Sequence, residues 1–189
     1  LQDLARSSSG KQIAPRQAVG ELYVALDEYL TDAAFDPFRT MLRDCILETW
    51  PVAAGERVLD AVLPARRLHN PRTAANEIGV STKLVEQILT DAGALPAADS
   101  RPFALRTFDA AEYAWLLAEI PTLVGRGDML AAMGATEAQL RTLREAKIIR
   151  PLTKHSRGKA PWRIADGPAL VAELHALTQP DPADGSGWE

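Results

Sequence analysis

Gly134-Ala135-Thr136-Glu137-Ala138-Gln139-Leu140-Arg141-Thr142-Leu143-Arg144-Glu145-Ala146-Lys147-Ile148-Ile149 is the stretch on which the fold turns. Just upstream, Met129, Leu130 and Met133 set an apolar stripe on a short helix. Gly134 then permits the left-handed backbone position that a tight turn requires. Thr136 suits the cap of a second helix, Glu137 to Ala146, in which Leu140 and Leu143 face inward while Arg141, Arg144 and Lys147 stay outside. Ile148 and Ile149 predict a strand, residues 154–159 a polar loop tip, and Trp162 and Ile164 a returning strand. Helix, turn, helix and wing in this order predict a winged helix-turn-helix.

The charge pattern points the same way. Arg141, Arg144, Lys147, Arg150, Lys154, Arg157, Lys159 and Arg163 face one acid, Glu145, in a chain whose net charge is -4. Clustered positive charge matters more than overall charge for nucleic acid, because each phosphate neutralised releases condensed counterions. An ordinary helix with a solvated surface hairpin is the plainer reading of the same residues.

A second copy of the pattern lies upstream. Pro71 suits the first helical turn after Asn70; Ala74, Ala75 and Ile78 form an inner face; Gly79-Val80-Ser81 make the turn; and Thr82 to Thr90 form the second helix. Setting Gly79 on Gly134 aligns Ala75 with Leu130, Val80 with Ala135, Ser81 with Thr136, Val85 with Leu140 and Ile88 with Leu143. Matching turn residues exceed what two amphipathic helices demand, so an internal duplication is expected. Here Arg66, Arg67, Arg72 and Lys83, with His69, are partly offset by Asp60, Glu77 and Glu86.

At 189 residues and 47% apolar, the chain is long enough to bury a sizeable core. Abundant Ala, Leu and Arg with few β-branched runs predict a mainly α fold of tandem helix-turn-helix modules, the second winged by a short β-hairpin, with sheet confined to that wing. Expected boundaries are a flexible lead at 1–15, an N-terminal helical module at 16–102, a second module at 103–178 and a disordered acidic tail at 179–189. In the first module one helix is expected over Arg16 to Leu30. Another is capped by Asp36, with Phe38, Met41, Leu42, Cys45, Ile46 and Trp50 on its apolar face, followed by a connector with a short helix over Val52 to Leu63. Phe103, Leu105 and Phe108 suggest an extended segment, Asp109 caps a helix through Ile120, and Ala169 to Leu177 form a last helix.

No apolar run approaches the roughly 20 residues of a membrane span, and no signal-peptide core is present, so a cytoplasmic protein is expected. The single Cys45, among apolar neighbours, reads as a buried inert thiol. His69, His155 and His175 stand far apart with no partner at metal-ligand spacing, and neither a phosphate loop nor a nucleophile elbow is found. The expectation is a non-catalytic chain with no metal and no cofactor.

Arg67-Leu68-His69-Asn70-Pro71-Arg72-Thr73-Ala74-Ala75 followed by Ile78-Gly79-Val80-Ser81, with Thr107-Phe108-Asp109 and Met133-Gly134-Ala135-Thr136, resembles the C-terminal part of the TniQ family of transposon target-selection proteins, over about Phe38 to Leu174. The family's cysteine-rich zinc-binding portion has no counterpart in these residues. The resemblance implies a bacterial, non-catalytic protein that helps a transposition complex find its DNA target, with an AAA+ transposition regulator, a guide complex or other transposition proteins as partners. The second module also resembles excisionase and MerR-type winged helix-turn-helix modules, in which a helix enters the major groove and the wing touches backbone.

Double-stranded DNA is thus the expected partner. Gln139, Arg141, Thr142 and Arg144 are the candidate contacts of the second recognition helix, and Lys154, Arg157, Lys159 and Arg163 hold the adjacent backbone. The first module offers Arg72, Thr82, Lys83 and Gln87, with Glu86 beside them. Gln can pair bidentately with adenine and Arg with guanine. Trp162 is read as packing the wing onto the core rather than stacking on a base. A transcription regulator or excisionase-like protein, and a protein–protein adaptor with degenerate helix-turn-helix folds, are the alternatives.

Overall fold

A computed structural model describes residues 14–29, 31–153 and 161–178. The fold is mainly helical, with two small antiparallel sheets among the described residues. The chain divides into two compact units, Leu1–Pro121 and Thr122–Glu189. The wing tip with Lys154, Arg157 and Lys159, most of the expected lead, and the acidic tail lie outside the described residues.

In the first unit, two short helices replace the single one expected over 16–30: α1 (Pro15–Val19) and α2 (Glu21–Glu28). Gly20 separates them at φ 61°, ψ -129°, a conformation essentially reserved for glycine. Asp32, not Asp36, is the capping carboxylate here: it accepts from the Ala34 amide at 2.9 Å and starts a 3-10 turn. Asp36 is the first residue of α3 (Asp36–Thr49). That helix buries Leu42, Ile46 and Leu47, with Trp50 just beyond it, while Phe38 and Met41 are exposed and Cys45 is half-buried.

Phe38 and Met41 lose their expected place to Arg39, which is buried. Its guanidinium donates to the Tyr29 carbonyl (2.6 Å) and the Asp32 carbonyl (3.1 Å), and pairs with Asp36. The cation adds a charged donor to two carbonyls beyond α2 that already accept the Asp32 and Phe35 amides (3.2 and 3.1 Å).

The connector at 52–63 is a hairpin rather than a short helix. In it β1 (Arg57–Val58) pairs antiparallel with β2 (Ala61–Val62), Val58 facing Ala61. Leu59, at φ 55° in the turn, is driven into the core and donates its amide to the Tyr23 hydroxyl at 3.3 Å. With Leu26, Leu42, Ile46, Leu47, Trp50, Val52, Val58 and Leu63 it forms one cluster. Each such side chain contributes about 1.5–3 kcal/mol by burial.

A second pair joins β3 (Leu68–His69) to β4 (Phe108–Asp109), His69 opposite Phe108, and frames α4 (Pro71–Ile78) and α5 (Thr82–Asp91). Sheet is therefore not confined to the wing. Phe103 and Leu105 lie in a 3-10 turn, not an extended segment. Asp109 closes a turn by accepting from the Ala111 and Glu112 amides (2.8 and 2.9 Å), and α6 (Ala114–Glu119) begins only afterwards. Because β4 pairs with β3 and α6 packs on α4, residues 103–121 belong with the first unit, and the division falls after Pro121 rather than at 102/103.

The second unit packs α7 (Arg126–Met133), α8 (Glu137–Glu145) and α9 (Asp166–Thr178). Met129, Met133, Leu140, Ile149 and Trp162 form its core, with Val124, Leu143, Leu170 and Val171 against them. Gly167 lets α9 approach α7 closely: a Cβ there would stand 2.6 Å from Met133 Cγ.

The strand expected at Ile148 and Ile149 is absent. Lys147 takes a left-handed turn (φ 59°), the Ile148 amide returns to the Leu143 carbonyl at 2.9 Å, Ile149 is buried and Ile148 is exposed. The pairing of the wing shifts outward. Leu152 donates to the Pro161 carbonyl at 2.9 Å, and Trp162 bridges antiparallel to Val124, ahead of α7. Val124 captures the returning arm with a reciprocal pair of bonds (2.9 and 3.0 Å) because the buried Trp162 anchors that arm in the core.

Candidate nucleic-acid interface

The two helix pairs share one turn. Gly134 ends α7 at φ 61°, ψ 27°, and Gly79 ends α4 at φ 71°, ψ 29°. In each, the residue after the glycine donates back to the same aligned carbonyl: Ala135 to Leu130 at 3.1 Å, Val80 to Ala75 at 3.0 Å. This bond closes the helix end that the left-handed glycine opens. Thr136 then caps α8 by accepting from the Gln139 amide, and Ser81 caps α5 by accepting from the Leu84 amide, both at 3.4 Å. Leu140 and Val85 are buried at equivalent places.

The first pair has an extra anchor. Buried Asn70 caps α4, its Oδ1 accepting from the Thr73 amide at 2.8 Å while Nδ2 donates to the Ala104 carbonyl at 3.0 Å. His69 beside it is buried too, bonds Thr73 Oγ1 through Nδ1 (3.2 Å) and stacks on Phe108. Burial lowers its pKa, opposed by Glu77, whose Oε2 lies 3.7 Å from Nε2, and reinforced by Arg66. Glu77 and Glu86 are both occupied. Glu77 meets Arg66 at 3.4 Å, and Glu86 on α5 holds Arg106 at 3.1 Å. Arg72 and Lys83 remain exposed without an ion pair among the described residues, while Thr82 and Gln87 are half-buried. Arg66 and Arg106 are thus each engaged by an acid within the fold.

On α8 the cations are free of such ties. Arg141 and Arg144 are exposed and have no ion pair among the described residues. The other candidates on this helix are differently placed. Gln139 closes a capping box: its Oε1 accepts from the Thr136 amide at 2.8 Å, occupying the acceptor that bidentate pairing with adenine would use. Thr142 Oγ1 donates to the Ala138 carbonyl at 3.1 Å.

α8 has two unlike flanks. On one, Arg126, Glu137, Arg141 and Arg144 surround a pocket of about 170 Å³ floored by Leu140 and Trp162. On the other, Ala138, Gln139 and Thr142 border an apolar groove of about 460 Å³ with Leu170, Val171 and Leu174 of α9. The arginines are thus gathered toward the Trp162 arm, and Gln139 and Thr142 away from it. Arg163 is exposed on that arm, next to Trp162. Trp162 itself is only 2% exposed, so it packs the core rather than offering a face to a base.

Sequence reasoning missed Arg126, whose place beside Glu137 (2.5 Å) across the turn is a tertiary fact that its position on α7 does not reveal. Among the described residues no three His, Cys, Asp or Glu side chains gather as metal ligands, and no helix is long and apolar enough to cross a membrane. No family model matches the chain, and neither the curated proteins nor the solved structures gave a match.

Proposed function

We propose that this chain is a non-catalytic, cytoplasmic protein that binds double-stranded DNA through its second helix-turn-helix, α8 lying in the major groove and the Trp162 arm against the backbone. The observation that carries the reading is Arg141 and Arg144, exposed and without an ion pair among the described residues, on a helix presented by a tightly closed turn. Guanidinium groups left without internal partners are available for phosphate oxygens or guanine edges. The resemblance to TniQ proteins extends the proposal to target-site recognition in a bacterial transposition complex, with an AAA+ regulator or other transposition proteins as partners. Excisionase-like or transcriptional use of the same interface is the neighbouring reading.

A labelled random duplex, titrated at low and moderate salt against wild type and Arg141→Glu/Arg144→Glu, tests it. Salt-sensitive binding lost in the variant is the expected result; unchanged affinity would remove α8 from the interface. A protein-adaptor role is the second reading, favoured by the apolar groove beside Leu170, Val171 and Leu174. Salt-insensitive partner capture without duplex affinity would select it.

A further inference from the structure

We propose that the pocket between α8 and the Trp162 arm is a seat for one phosphate group, filled in the DNA complex by a backbone phosphodiester. The inference rests on the DNA-binding reading and adds to it a defined anchoring point.

Three arginines, Arg126, Arg141 and Arg144, line the pocket with a single acid, Glu137. Arg126 already engages Glu137 at 2.5 Å, which leaves Arg141 and Arg144 with no ion pair among the described residues. The floor is apolar: Leu140 is 3% exposed and Trp162 2%. Low surrounding polarity strengthens any hydrogen bond made there. Trp162 also carries an unsatisfied donor beneath that floor, for its indole Nε1–H is closed off from solvent and has no hydrogen-bond partner among the described residues. A buried indole N–H ordinarily has a partner, and an orphan of this kind calls for an acceptor.

An anion with several acceptor oxygens answers both features. Forked guanidinium donors match phosphate geometry, and a tetrahedral group can accept from two arginines and still turn an oxygen toward a third donor. At about 170 Å³ the pocket suits a single such group rather than a larger ligand. A phosphate held there would fix the register of α8 on the duplex without reading sequence.

The test uses the full chain labelled with ¹⁵N, in which the Trp162 indole resonance reports the site. Among the four tryptophans it is identified by its loss in Trp162→Phe or, should that variant not fold, by elimination through Trp50→Phe, Trp115→Phe and Trp188→Phe. Inorganic phosphate, dimethyl phosphate and a random duplex are titrated at constant ionic strength, with duplex binding followed separately by fluorescence anisotropy. The expected result is a saturable downfield shift of the Trp162 indole proton with each, weakened about tenfold for phosphate by the exposed substitution Arg144→Gln. Duplex binding with no Trp162 response to any of the three would overturn the seat and leave the DNA reading standing. A response to phosphate in a chain that binds no duplex would keep an anion site, reassign it to free phosphate and remove the DNA reading. Neither response nor duplex binding would overturn both.

Discussion

The α4–α5 and α7–α8 pairs share one backbone turn and differ in how many of their cations are already used. Each ends its first helix at a left-handed glycine, returns one amide to an equivalent carbonyl and caps its second helix with a hydroxyl. In the first pair the flanking cations Arg66 and Arg106 meet Glu77 and Glu86, buried Asn70 ties the motif to a neighbouring turn, and Arg72 and Lys83 stay exposed with no ion pair among the described residues. In the second pair Arg141 and Arg144 keep no internal ion pair among the described residues, and a pocket opens beside them. The lesson is that a helix-turn-helix is a packing solution, and what it can bind depends on whether its charges are already used.

Charge reversal should split the pair most sharply. Arg141→Glu/Arg144→Glu is expected to weaken duplex binding by at least about 100-fold, near 2.7 kcal/mol, whereas Arg72→Glu/Lys83→Glu should cost less than about fivefold. Anisotropy titrations decide it, and the reverse ranking would transfer the interface to the first module. The neutral pair Arg141→Gln/Arg144→Gln should also flatten the slope of log affinity against log salt by about 2, one for each phosphate that the protein then leaves to its counterions.

Stability should divide by anchor. Asn70→Ala removes a buried cap and a cross-link to Ala104, and is expected to cost about 2–3 kcal/mol in urea denaturation; Thr136→Ala, which removes only the exposed cap of α8, should cost about 1 kcal/mol. Equal losses would deny the first pair its extra anchor. The shared turn gives a smaller effect. Alanine at Gly79 or Gly134 meets no atom within 4 Å but must hold a positive φ, so each should cost about 1 kcal/mol. Clearly unequal values would show that the two turns are not energetically alike.

The smallest expected effect is a pH dependence confined to the first pair. Burial holds the His69 pKa below its unfolded value, so at mildly acidic pH the unfolded chain binds the extra proton. Its stability contribution is complete above the unfolded pKa, about 6.5, and is lost as pH falls from there toward the folded value. Denaturation midpoints should therefore drop on acidification through that range, and less so in His69→Gln.

Sequence by itself determined the mainly α class, both glycine turns, the cap at Thr136, and the inward residues Val85, Ile88 and Leu140. These follow from backbone freedom at glycine, from local side-chain bonding and from helical periodicity, all of which act within a few residues. Tertiary structure alone decided the rest. The burial of Arg39 in place of Phe38 and Met41 depends on carbonyls at the end of another helix. The pairing of β3 with β4 joins residues about forty apart, and the bridge from Trp162 to Val124 likewise, in place of the strand expected at Ile148. Which arginines are left free was decided the same way, since a cation's availability depends on whether a distant carboxylate folds against it, and no spacing along the chain records that distance.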